Sequence, residues 1–128
     1  MQSRLSNTAA VKFLDIEGLV GRLRGVARSL VAAEPNVTAV VLFGSLARRS
    51  ATPASDADLL VLLRADARRI IERIVQYSRP FEMPGLSVQV LAWTEAELSE
   101  RLESGDRFAR EILESGIVLA GAVAARGE

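Results

Sequence analysis

Two aspartates, Asp56 and Asp58, stand two residues apart at the start of an apolar run, Asp58-Leu-Leu-Val-Leu-Leu63. In an extended chain, residues i and i+2 point to the same side, so these carboxylates project together. Two close carboxylates repel, which raises the pKa of one of them unless a cation sits between. A hard divalent ion resolves this, and magnesium typically takes one or two protein carboxylates together with substrate phosphates. The plainer alternative is a solvated strand start, or an Asp56 that only caps a turn; for an isolated Asp-x-Asp it is the commoner reading.

Upstream, Gly44-Ser45 closes another apolar run, Val40-Val-Leu-Phe43. Glycine lets a backbone approach a phosphate closely, and free N–H groups at a helix start favour an anion. The Ser45 hydroxyl adds a donor. No Gly-Lys-Ser/Thr follows, so this is not a Walker A loop. Arg48 and Arg49 follow in the same loop, equally suited to a triphosphate or to solvent.

The elements that must position these groups can be read from periodicity. Asp15 is placed to cap a helix over 15–33, with Leu19, Val20, Leu23, Val26, Ala27, Leu30 and Val31 at helical spacing. Gly18, Gly21 and Gly25 weaken it, or allow close packing on a sheet. Glu34-Pro35-Asn36 ends it. Residues 37–43 read as a buried strand, 46–49 as a short helix, 50–55 as a loop and 58–63 as a second strand. A helix over 66–77 should bury Ile70, Ile71, Ile74 and Tyr77 and expose Arg68, Arg69 and Arg73. A third strand spans 86–93. Thr94 and Glu97 form a capping box for a helix to residue 103. Asp106 caps another helix to residue 115, with Phe108, Ile112 and Leu113 expected inside and Gly116 in a left-handed conformation. A last strand covers 117–119. Residues 1–10 and 120–128 read as loose tails of a single domain spanning 1–128. The alternation predicts an α/β or α+β fold, a sheet of about four strands with helices packed on it, in an order that periodicity does not reveal.

Composition narrows the chemistry. The formal net charge is zero, so neither direct nucleic-acid binding nor attraction to a membrane surface is expected. Lys12 is the only lysine among many arginines. With no cysteine, disulfides, thiolate metal sites and a cysteine nucleophile are excluded. With no histidine, the usual general base and the usual zinc ligand are missing, so any metal must be held by oxygen. No apolar stretch reaches the ~20 residues of a membrane span, and no signal peptide is evident. The expectation is a soluble, cytoplasmic protein.

Together, Gly44-Ser45, ten intervening residues and Asp56-Ala57-Asp58 match the GS-x10-DxD signature of the DNA polymerase β-like nucleotidyltransferase superfamily. With the preceding Val-Val-Leu-Phe and the later VQVLAWTEAEL and REILESGIVLAG, the chain resembles its minimal nucleotidyltransferase (MNT) branch over about residues 37–119. The resemblance implies transfer of a nucleoside monophosphate, most often AMP from ATP, to a hydroxyl, with release of pyrophosphate and the help of two magnesium ions. By position, Gly44 and Ser45 would hold the outer phosphates, and Asp56 and Asp58 the metals. It also implies a partner: MNT proteins often act as antitoxins that modify a HEPN ribonuclease toxin on tyrosine. Relatives that modify aminoglycosides carry an extra C-terminal domain that this chain lacks, which ranks a small-molecule acceptor lower. An open groove on so small a domain points to a protein partner, or a second copy of the chain, as part of the site.

This sequence departs from the family in one respect that bears on activity. Active members usually carry a third carboxylate on the following strand, and alternation places that position at Gln89. Glu82 or Glu95 could substitute. Leu46 stands where an arginine is common, and Arg49 where a glycine is. Two readings therefore stand: an active metal-dependent nucleotidyltransferase, or a catalytically degenerate binding protein that retains the fold.

Overall fold

The computed structural model describes residues 15–50 and 56–124. The expected N-terminal tail, residues 51–55 of the loop and the last four residues lie outside them. A helix, α1 (Ile16–Ala33), leads into β1 (Val37–Phe43) and a one-turn helix, α2 (Gly44–Ala47). Then come β2 (Ala57–Leu63), α3 (Ile70–Ser78), a 3₁₀ turn (Arg79–Phe81) and β3 (Val88–Thr94). The chain finishes with α4 (Glu95–Glu103), α5 (Arg107–Ser115) and β4 (Ile117–Gly121). The strands form a mixed sheet in the order β3-β2-β1-β4. β1 is antiparallel to β2 and β4, whereas β2 and β3 are parallel.

Both faces of this sheet are covered. Val40, Leu42, Leu59, Val61, Leu63, Val90 and Ala92 pack against α1 and Tyr77 of α3. Ala39, Val41, Leu60, Leu62 and Trp93 face Leu98 of α4 and Ala109, Ile112 and Leu113 of α5. That two-sided burial is why β1 and β2 are continuous apolar runs with no alternation. Among the described residues no helix is long and apolar enough to cross a membrane.

Several local expectations are realised. The Thr94 hydroxyl accepts from the Glu97 N–H at 3.1 Å, and the Glu97 carboxylate accepts from the Thr94 N–H at 2.8 Å. Asp106 accepts from the Phe108 N–H at 2.9 Å. Asp15 precedes α1, but its side chain makes no capping bond. Gly21 and Gly25 have open space where a Cβ would stand, so neither serves close packing on the sheet. Gly116 is extended, with φ −75° and ψ 158°, not left-handed. The small residue is required there because a Cβ would meet the Ile112 carbonyl and, at 2.8 Å, Val41 Cγ1. The final strand continues through Gly121, beyond the expected residue 119.

The largest correction concerns α3. It begins at Ile70, and its inward positions are Arg73 and Tyr77, one turn apart. Ile70 and Ile71 are exposed, together with Val75. Arg73, expected at the surface, is 4% exposed. Its guanidinium donates to the Asp66 carbonyl (2.7 Å), the Glu97 carboxylate (2.7 Å), the Arg68 carbonyl (3.1 Å) and the Ala92 carbonyl (3.4 Å). The arginine thus ties the β2–α3 connection to β3 and α4, and an isoleucine in that hole would leave three carbonyls and the Glu97 carboxylate without this donor.

Candidate functional site

The connection of β1 to β2 returns the chain to the end of the sheet where β1 finished. The register places Phe43 opposite Asp58, and Asp58 opposite Gln89 of the parallel neighbour. These three therefore form one row across three strands, on the face covered by α5. Asp56 lies two residues before Asp58, and its carboxylate accepts from the Gln89 side-chain amide at 3.0 Å. The pair inferred from spacing and the residue at the third-acid position are thus side by side.

Gly44 turns the chain out of β1 with φ +77°, a conformation glycine adopts without steric cost. Its α-carbon packs directly on the carboxylate of Asp58. A Cβ there would run into Asp58 Oδ2 and lie 3.2 Å from Cγ. Gly44→Ala is expected to cost about 1–2 kcal/mol from backbone strain alone and to displace the Asp58 carboxylate as well. Magnesium-dependent nucleotide affinity, measured by calorimetry, should fall by more than the loss of thermal stability accounts for. Ser45 follows in α2, and Leu46 is buried in the core, anchoring that turn.

A cavity of about 440 Å³ opens beside this row. Gly44, Arg48, Asp58 and Gln89 supply its polar side; Phe43, Leu91, Phe108 and Ile112 supply its apolar side, with Glu111 and Ser115 from α5. Ser45, Asp56 and Arg49 are not part of its wall. Arg48 pairs with Glu111 on its wall at 3.6 Å. Arg49 is directed elsewhere, its guanidinium 2.5 Å from Glu17 of α1, so the two adjacent arginines are separated.

Electrostatics at the pair favour a cation. Burial pushes the Asp58 carboxyl above its ordinary value, the neighbouring Asp56 charge pushes it further, and Arg48 partly offsets both. A divalent ion held between the two carboxylates would reverse the first two effects. The donor set fits magnesium: two carboxylates are within its customary complement when phosphates supply the rest. Among the described residues, no group of three or more acidic, histidine or cysteine side chains gathers as a metal cluster. Glu95 begins α4 beyond the far end of β3, about 20 Å of strand from Gln89. Glu82 is exposed after the 3₁₀ turn and joins no such cluster. Glu95 is therefore too distant to supply a third acid.

Two cavity residues have no counterpart in the motif. Phe108, expected in the core, is 45% exposed. Glu111 is the carboxylate that meets Arg48. Helical periodicity marks both as part of α5, but only the packing of α5 over Phe43 and Leu91 brings them to the groove.

No curated protein sequence matches the chain. Among solved structures, one from Sulfolobus solfataricus, provisionally assigned as a nucleotidyltransferase, is 19% identical with a TM-score of 0.58, covering 86% of this chain and 84% of that one. A toxin–antitoxin structure with AMP-PNP is also 19% identical, with a TM-score of 0.48, covering 77% of this chain and 72% of that one. The sequence model of the nucleotidyltransferase domain matches residues 23–119. That span contains the glycine-serine turn, both aspartates and every strand except the last residues of β4, and the chain belongs to the nucleotidyltransferase domain family.

Proposed function

We propose that this protein binds a nucleoside triphosphate with magnesium and transfers the nucleoside monophosphate, AMP from ATP, to a hydroxyl. The observation that carries this reading is the direct packing of the Gly44 backbone on the Asp58 carboxylate. It brings the glycine turn, which would take the phosphates, against Asp58. Asp56 and Asp58 would hold the metal, which supplies charge neutralisation for the triphosphate and activation of the acceptor. Gly44 and Ser45 offer backbone N–H groups and a hydroxyl to the outer phosphates. Arg48, released from Glu111, adds positive charge on the same side. The acceptor oxygen forms a bond to the α-phosphorus, the bond to the bridging oxygen breaks, and pyrophosphate leaves with that electron pair. The acceptor proton passes to solvent or a nearby carboxylate.

Arg48, Gln89, Phe108 and Glu111 at the groove are all exposed, which leaves room for an acceptor carried on a folded protein. A HEPN-type toxin fits that description, and a second copy of the chain is the other occupant. The test is incubation of the purified protein with ATP, magnesium and the product of the adjacent gene, followed by intact-mass analysis. A gain of one nucleotide supports transfer; tight association with no gain supports binding alone.

Gln89 gives the second reading its weight. Its amide donates to Asp56, partly meeting the need that a shared cation would otherwise meet. In this version the protein binds nucleotide with one metal, retains a partner and does not turn over. Gln89→Glu separates the two. If the neutral side chain limits the reaction, restoring a carboxylate should raise transfer about 10²-fold, within the range of a positioned acid or base. The variant should also gain more thermal stability on adding magnesium than the wild type. An unchanged rate with the fold intact would show that a third carboxylate is not what limits the protein.

A further inference from the structure

The apolar side of the groove has no part in holding phosphates or a cation. Phe108, in the first turn of α5, is 45% exposed and yet fixed in place. Its ring meets Phe43 edge-on, with centroids 5.7 Å apart and planes at 77°, and Trp93 at 6.1 Å and 80°. Trp93 is buried in turn beneath the guanidinium of Arg101, which lies 4.2 Å from the ring. Two T-shaped contacts of this kind hold an aromatic side chain without burying it. The cavity wall contains this ring, and Gly44 and Asp58 stand on the same wall at its polar side. A volume of about 440 Å³ lies in the range of small-molecule and cofactor sites. With a divalent cation on the acidic pair, the complementary ligand carries a flat π-system at one end and anionic groups at the other.

We infer that Phe108 is the platform on which the base of the nucleoside triphosphate stacks, with the phosphates directed toward Gly44 and the Asp56–Asp58 pair. This rests on the nucleotide reading above and adds to it a base-binding residue outside the glycine-serine and Asp-x-Asp motif. Phe43 and Trp93 act as positioning residues: they set the orientation of the ring. A purine presents more π surface than a pyrimidine, so the platform favours ATP over CTP.

The test compares ATP, CTP and inorganic tripolyphosphate as titrants, each with magnesium, on the wild type, Phe108→Ala, Phe108→Leu and Phe108→Trp. Leucine retains apolar bulk in the first turn of α5 and removes only the π face, so a folded variant is assured a hearing; circular dichroism checks each one. Base stacking lost on substitution should weaken ATP binding between about 5-fold and 100-fold in the alanine and leucine variants. Tripolyphosphate binding should not change, the ATP-over-CTP preference should shrink, and tryptophan should preserve both. Equal ATP affinity in the wild type and Phe108→Leu overturns the platform, and so does tripolyphosphate binding as tightly as ATP to the wild type. In either case binding of tripolyphosphate leaves the phosphate and metal reading standing. A wild type that binds neither ATP nor tripolyphosphate overturns that reading, and the platform with it.

Discussion

Replacing both aspartates, as Asp56→Asn/Asp58→Asn, is expected to abolish magnesium-dependent nucleotide binding and to lower nucleotide transfer on the order of 10³-fold. A bound metal contributes several kcal/mol to a developing transition state, at about 1.36 kcal/mol for each tenfold change in rate. Asparagine has nearly the shape of aspartate, so the variant removes charge with little change in volume. The stability result is equally diagnostic. Asp58 has a folded-state pKa raised by burial, then by Asp56, so its ionisation opposes folding. The stability tied to its neutral form is present at low pH and is lost as pH rises through the raised pKa. At neutral pH without metal, the neutral variant should therefore melt no lower than the wild type, while the stabilisation that magnesium gives the wild type disappears. A marked fall in melting temperature without metal would show instead that the aspartates serve the fold, as turn caps do.

The second large effect concerns stability and lies at the other end of the sheet. Arg73→Met is expected to destabilise the protein by about 3–5 kcal/mol, because it removes one partner of a buried charge network and strands the rest. For a chain of this length that corresponds to a melting temperature lower by roughly 10–20 °C. Methionine fills much of the same volume, so the loss is one of hydrogen bonds to Asp66, Arg68, Ala92 and Glu97 more than of packing. The same network sets the response to acid. The Asp66 carboxyl is lowered to about 2, chiefly by the hydrogen bond from the Arg68 guanidinium. Burial alone would raise Glu97, but the Arg73 hydrogen bond and the Thr94 N–H outweigh it, and the net shift is downward. For carboxylates held low in the folded state, the linked stability is fully present above their unfolded pKa and is lost as pH falls through the folded value. Urea unfolding should therefore show stability declining as pH falls from about 4.5, where unfolded Glu97 begins to protonate, toward about 2, where folded Asp66 does. In Arg73→Met the folded value of Glu97 moves back up toward its unfolded one, so the Glu97 part of that decline should shrink. A variant that unfolds at the wild-type urea concentration would show that the buried guanidinium adds no net stability.

Much of this protein was legible in its residues. The apolar runs of β1 and β2, the glycine-serine turn and the Asp-x-Asp are local patterns, because alternation, backbone freedom at glycine and capping are decided by residues a few positions apart. Spacing alone put both carboxylates on one side of a strand, and the capping box at Thr94 has the geometry its sequence implies. The number and type of strands followed for the same reason, and so did the family.

What local pattern left undecided was which side chains from distant segments meet. Helical periodicity could not rank Arg73 against Ile70 and Ile71 for the inward face of α3, because the hole it fills is made by carbonyls of the β2–α3 connection and β3 and by Glu97 of α4. The two neighbouring arginines of the motif loop could not be told apart until α1 brought Glu17 to Arg49 and α5 brought Glu111 to Arg48. Glu95, close to Gln89 in sequence, is carried to the opposite end of the sheet by the length of β3. The sequence by itself determined that a glycine-serine turn and two closely spaced carboxylates flank the two apolar strands, since covalent spacing and strand geometry suffice for that. Only the tertiary structure decided that α5 closes over them, bringing an exposed phenylalanine and a glutamate to the groove, because that depends on packing between segments some fifty residues apart.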